Sequence, residues 1–119
     1  MRLFQFNLQP SRAITEHDSQ NAAISLLFRR SNDVFLVCIR LAEGGVLGYH
    51  QATADQLFLV VEGSGWVRAE GTDRMPITAG QAAFWQAGEW HETTTDTGLT
   101  ALVIEGGRLD LAALEAIQM

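Results

Sequence analysis

Short apolar runs recur along the whole chain, and residues that favour turns, mainly Gly, Asn, Asp and Thr, separate them. This arrangement is typical of an all-β sandwich or barrel. Many of the runs alternate apolar and polar residues with the strand period of two. The pattern predicts strands at 3–9, 22–29, 34–41, 46–51, 56–61, 66–70, 74–78, 82–85, 89–94 and 99–105. The polar segment 12–21 is predicted to be a loop.

Glycines and changes of period predict where these strands end. Gly44-Gly45 is expected to break the chain between two strands, and residues 62–65 are expected to form a hairpin turn. The run 34–39 is apolar at both parities, which predicts burial on both faces or a homodimer interface. Residues 108–118 place apolar side chains at a helical spacing and predict a short C-terminal helix.

Composition excludes several classes of partner. The chain has 119 residues, of which 47% are hydrophobic, so one domain spanning 1–119 is expected. No apolar run approaches the ~20 residues needed to span a bilayer, and the N-terminus lacks a signal-peptide core, which favours a cytoplasmic location. With 14 acidic and 8 basic residues the net charge is −6, which argues against binding to nucleic acid or to an anionic membrane. The single cysteine rules out an internal disulfide.

Two histidines lie in segments whose residue spacing is informative. The positions that carry the spacing are Gly44, His50 and Gly63 in the first segment and Gly80, Gly88 and His91 in the second. Both segments resemble the paired motifs of the cupin superfamily, with the motif-bearing core at 44–95. The resemblance implies a jelly-roll double-stranded β-barrel, often dimeric, with the two histidines directed into its interior. Three positions depart from the family pattern, because Ala52, Gln56 and Gln86 replace its second His, its Glu and its Pro.

These departures bear on metal binding. The resemblance implies a site that commonly holds a divalent metal through three His and one Glu. His50 and His91 match, whereas Ala52 has no donor atom and Gln56 offers a neutral carbonyl oxygen at most. A divalent ion such as Fe, Ni, Mn or Zn is therefore expected to bind weakly or not at all, with Glu89 as a possible substitute carboxylate. Without metal the two imidazoles would be polar pocket groups or a general acid and base.

Strand parity suggests which other side chains share the site. Gln56, Phe58 and Val60 lie on one face of their strand, so Phe58 is a candidate pocket wall, and Phe84 is a second. Arg40 has a guanidinium suited to a ligand carboxylate, or to a surface salt bridge. Trp66 and Trp85 are expected in the core or in a dimer interface.

Two further polar groups are given structural roles. Cys38 is expected to be a buried, inert thiol rather than a nucleophile. His17 lies in the polar N-terminal loop and is expected to be solvated.

Three functions remain open at this point. The first is a small cupin barrel that binds a small organic ligand, with a degenerate metal site. The second is a metal-dependent cupin enzyme of the dioxygenase or isomerase type. The third is a non-catalytic dimeric structural or regulatory module. Fold alone does not choose between them, because one fold supports many functions.

Overall fold

The structure is a computed structural model that describes residues 11–29, 34–107, 109 and 111. It contains a 3₁₀ turn at Glu16–Asp18 and eight strands: β1 (Arg12–Ala13), β2 (Gln20–Arg29), β3 (Phe35–Gln51), β4 (Gln56–Ala69), β5 (Met75–Thr78), β6 (Ala82–Trp85), β7 (Trp90–Thr94) and β8 (Leu99–Glu105). The predicted strand 3–9 and nearly all of the predicted helix 108–118 lie outside the described residues. Within the described part of the chain, no helix has the length and apolar character needed to cross a membrane.

Two long strands, β3 and β4, close the sheet into a barrel. The first half of β3 pairs with β2 and β8, and its second half pairs with β7. The first half of β4 pairs with β6 and β8, and its second half pairs with β5 and β7. Strands β7 and β8 each pair with both β3 and β4, and these pairings close the sheet between the two long strands. The predicted all-β double-stranded barrel of the jelly-roll type is confirmed.

Three predicted boundaries are wrong. The segment 12–21 is not a continuous loop, because it contains β1, the 3₁₀ turn and the start of β2. The chain does not break at Gly44-Gly45, because β3 runs through both residues, and residues 62–65 do not form a hairpin, because β4 runs through them. Gly44 and Gly63 adopt φ angles of 73° and 81°, values that favour glycine. The pairing of β4 with β8 also shifts register between Val60 and Glu62. Such irregularities let a strand bend around the barrel without ending.

The core fills the interior of the barrel. Its largest fully buried side chain is Phe58, and the buried cluster around it consists of Ile14, Ala22, Val37, Ile39, Leu41, Ala52, Val60, Ile77, Trp85, Leu99, Ala101 and Val103. Strand β8 shows the alternation that produces this core, since every second residue from Leu99 to Val103 is buried. Parity predicted the inward face of β4 from sequence, and β8 follows the same rule.

Within the apolar run 34–39, residues 37–39 are buried on both faces of the sheet, as predicted, whereas residues 34–36 are half-buried. Val37 and Ile39 belong to the core, while Cys38 points to the other face and is 0% exposed. Cys38 is flanked there by Ser25 on β2 and Leu102 on β8. Burial raises the pKa of the Cys38 thiol, and the nearby Arg40 charge offsets part of that rise. The homodimer expected from this run stays a prediction.

Candidate functional site

The structure brings His50 and His91 together. They are directly opposed residues on the neighbouring strands β3 and β7. Their ring centroids are 4.5 Å apart, and the ring planes are tilted by 56°. Two segments that are distant in sequence thus contribute one imidazole pair.

Backbone carbonyls set the orientation of both rings. His50 Nδ1 lies 2.6 Å from the Gly48 carbonyl oxygen, and His91 Nδ1 lies 3.3 Å from the Glu89 carbonyl oxygen. A carbonyl oxygen can accept but cannot donate, so each Nδ1 carries the hydrogen. In a neutral imidazole this leaves Nε2 as the acceptor and as the atom able to bind a proton or a metal.

His91 is held in its neutral form. It is 4% exposed, and burial lowers its pKa to about 4. Its hydrogen bond to the Glu89 carbonyl opposes this shift, while positive charge on His50 or His17 adds to it. Because burial disfavours the imidazolium, the ring at neutral pH provides a lone pair and no charge.

Trp85 packs directly on His91. The two rings are stacked, with centroids 4.1 Å apart and planes at 16°. Phe58 contacts Trp85 edge-on, with the two ring centroids 5.6 Å apart. Trp85 is a core residue, which agrees with the prediction, but no sequence pattern indicates its contact with His91.

A third histidine reaches the pair from the N-terminal turn. The His17 ring stacks on His50 at 4.3 Å, with the planes only 12° apart. His17 is exposed, as expected, yet it is not simply solvated. Four rings therefore follow one another in contact, in the order His17, His50, His91 and Trp85, and we call this set the ring column.

The other predicted metal ligands, Gln56 and Glu89, make hydrogen bonds of their own. Gln56 Nε2 donates to Glu105 Oε1 at 3.3 Å, and Glu89 Oε1 accepts from the Gln86 N–H at 3.1 Å. Ala52 is 2% exposed and offers no donor atom. Among the described residues, no three His, Cys, Asp or Glu side chains form a group that could hold a metal ion. The residues present do not fit a centre of three histidines and one glutamate.

A large, mainly apolar cavity lies beside the ring column. Its volume is about 1190 Å³. Three aromatic side chains line it, namely Trp66, Phe84 and Trp85, together with aliphatic residues that include Leu57, Leu59, Ile77 and Ala82. Trp85 thus contacts His91 and also belongs to the cavity wall. Phe84 lines the cavity, whereas Phe58 lies in the core.

Arg40 lies elsewhere. It lines a second cavity of about 710 Å³, together with Glu43 and Glu62, and its Nη1 donates to Ser25 Oγ at 3.1 Å. The structure therefore separates Arg40 from the ring column. Parity placed it on a face of β3, but it did not reveal that this face is opposite to the core.

Comparison with known families decides which fold family this barrel represents. The model of the Cupin domain family matches residues 37–105, which include both histidine segments. The chain belongs to the cupin family. In this cupin the paired motif histidines are His50 and His91, while His17 and Trp85 join them through tertiary contacts. A comparison with curated proteins gives no match.

Solved structures share the fold of this cupin at low sequence identity. The polyketide cyclase RemF from Streptomyces resistomycificus is 17% identical with a TM-score of 0.79, over 89% of this chain and 79% of that one. A predicted oxalate decarboxylase from Thermotoga maritima is 18% identical with a TM-score of 0.77, over 88% and 98%. An RmlC-like cupin from Shewanella frigidimarina is 20% identical with a TM-score of 0.71, over 91% and 93%. At these identities the likeness concerns the fold alone.

Proposed function

We propose that this cupin binds a small organic ligand with an apolar or aromatic body in the 1190 Å³ cavity, without a resident metal. The observation that carries the proposal is the double role of Trp85, which lines the cavity and stacks on His91. Large apolar pockets with a few polar groups are the usual form of small-molecule sites. A ligand in this cavity would therefore contact Trp85, whose ring stacks on neutral His91.

The chemistry of the walls favours an uncharged ligand. Leu57, Leu59 and Ile77 offer apolar surface, and each Å² they bury contributes roughly 25 cal/mol. Arg68 also lines the cavity, but its charge is paired with Glu92 at 2.9 Å, which leaves little positive charge to attract an anion. The net charge of −6 would also repel one at long range.

Fluorescence of the neutral aromatic amine N-phenyl-1-naphthylamine tests this proposal. We expect a saturable signal with a micromolar Kd, which corresponds to about 8 kcal/mol. Ala82→Phe should abolish the signal, because its ring would occupy the cavity that Ala82 lines. Ala42→Phe is the matched control, since Ala42 lines the second cavity. Absence of saturable binding to the natural chain, or equal loss in both variants, would reject the proposal.

A metal-dependent enzyme is the second candidate, and one observation favours it. Metal-binding histidines usually donate their other ring N–H to a carbonyl or carboxylate, as His50 and His91 do here. Against it, the Gln56 amide donates to Glu105, and Ala52 has no donor.

Thermal melting with added metal separates the two candidates. An ion at a hundredfold excess over its Kd would stabilise the fold by about 2.7 kcal/mol, which is several degrees in Tm. We expect no such shift with Fe²⁺, Ni²⁺, Mn²⁺ or Zn²⁺. A shift that disappears in both His50→Ala and His91→Ala would instead support the metal-dependent enzyme.

A further inference from the structure

We infer that His17 is a positioning residue for His50, delivered to the site by the N-terminal turn rather than by the barrel motifs. Its ring lies parallel to the His50 ring at 4.3 Å and covers a face of it. His17 is exposed and His50 is half-buried, so the His17 ring shields His50 from solvent. This inference extends the proposed function, because it names a further residue on which that site depends.

Gly48 ties the turn and His50 to the same residue. Its carbonyl oxygen accepts the hydrogen bond from His50 Nδ1 at 2.6 Å. Its N–H donates to Ser19 Oγ at 3.1 Å. Gly48 therefore bonds both the His50 ring and Ser19, at the end of the turn. These two bonds fix the position of the His17 ring relative to the His50 ring.

The contact requires glycine at position 48. A Cβ atom built there would lie 1.4 Å from the His17 carbonyl oxygen, a distance no side chain can accept. The turn therefore rests on the backbone of β3, two residues before His50. Such close approach of two backbones is a use to which glycine is specifically suited.

The turn is also held in a strained conformation. His17 and Asp18 have φ angles of 61° and 58°, in the left-handed region that residues other than glycine seldom adopt. Residues kept in this region are concentrated at functional sites. Burial does not account for the conformation, since no residue of the turn is buried.

The neighbouring contacts explain where the segment lies but not where the ring points. Ile14 is buried in the core and anchors the chain before the turn. Arg12 and Glu16 form an exposed ion pair at 3.2 Å, of a kind that contributes little to stability. Neither contact directs the His17 ring onto His50. The stack and the Gly48 contacts do so.

Imidazole ¹⁵N spectra of the unliganded protein test the inference directly. In the natural chain the His50 Nδ1–H should give a resolved signal, because His17 and Gly48 protect it from exchange with water. His17→Asn should lose that signal, since asparagine tolerates the left-handed backbone but has no ring. His17→Phe should retain it by restoring the stack. Glu16→Gln, on the same turn, is the control and should leave the signal unchanged.

A second variant and a binding measurement complete the test. Gly48→Ala should displace the turn and remove the same signal. His17→Asn should also weaken N-phenyl-1-naphthylamine binding by about threefold to tenfold. An unchanged Nδ1–H signal in both His17→Asn and Gly48→Ala would overturn the inference. Failure of the natural chain to bind the probe would instead count against the proposed function, because the spectra need no ligand.

Discussion

Lowering the pH from 6.5 to 4 should destabilise the fold by about 3 kcal/mol through His91 alone. In the unfolded chain His91 takes up a proton near its ordinary pKa of 6.5, whereas in the folded chain burial lowers that pKa to about 4. Between these values protons bind more readily to the unfolded state, and each pKa unit corresponds to about 1.4 kcal/mol. The contribution of neutral His91 is complete above pH 6.5, falls through this window and levels off below pH 4.

Urea unfolding at a series of pH values from 7 to 4 measures this effect. Other groups also titrate in the window, so the comparison is between the natural chain and His91→Gln, which lacks the ionisable ring. We expect the free energy of unfolding of the variant to depend less steeply on pH, by about 3 kcal/mol over the window. Parallel pH profiles for the two proteins would show that His91 is not held neutral by burial.

Replacement of Trp85 by alanine should have the largest effect on stability. Trp85 is 4% exposed, and it contacts Phe58 within the core and His91 in the ring column. Truncation of a buried aromatic side chain costs about 3–5 kcal/mol, which chemical denaturation will measure. The same change should abolish binding of N-phenyl-1-naphthylamine, because it removes part of the cavity wall.

Trp90→Ala is the control for this variant. Trp90 is 38% exposed and contacts Tyr49 on the surface, with ring centroids 5.5 Å apart. We expect its removal to cost less than about 1.5 kcal/mol and to leave probe binding intact.

Trp85→Ala should also raise the pKa of His91 towards its ordinary value by admitting water. A His91 pKa that stays near 4 in this variant would contradict the role assigned to Trp85.

Those features of the fold that depend on local pattern could be predicted from sequence. The inward face of β4 follows from alternation, which correctly grouped Phe58 with Val60. The segments around His50 and His91 were recognisable because glycines recur at characteristic intervals around them. The same glycines led to the wrong boundaries at Gly44 and Gly63, since a positive φ serves a bulge as well as a turn.

The partners in the site depend on tertiary contacts that the sequence pattern does not express. Phe84 and Trp85 are adjacent on β6 and point to opposite faces, and the register of β6 on β4 places Trp85, not Phe84, opposite Gln56. Gln56 meets Glu105, which lies far away in sequence. His17 reaches His50 through an irregular turn for which strand periodicity offers no rule.

A crystal structure of the protein purified without added metal, and soaked with N-phenyl-1-naphthylamine, tests the central claim most directly. We predict density for the aromatic amine against Trp85, with no ion between His50 and His91. An ion bonded to Nε2 of both histidines, at about 2.0–2.1 Å as for zinc, would contradict it. So would density for the probe in the second cavity beside Arg40 with the cavity at Trp85 left empty.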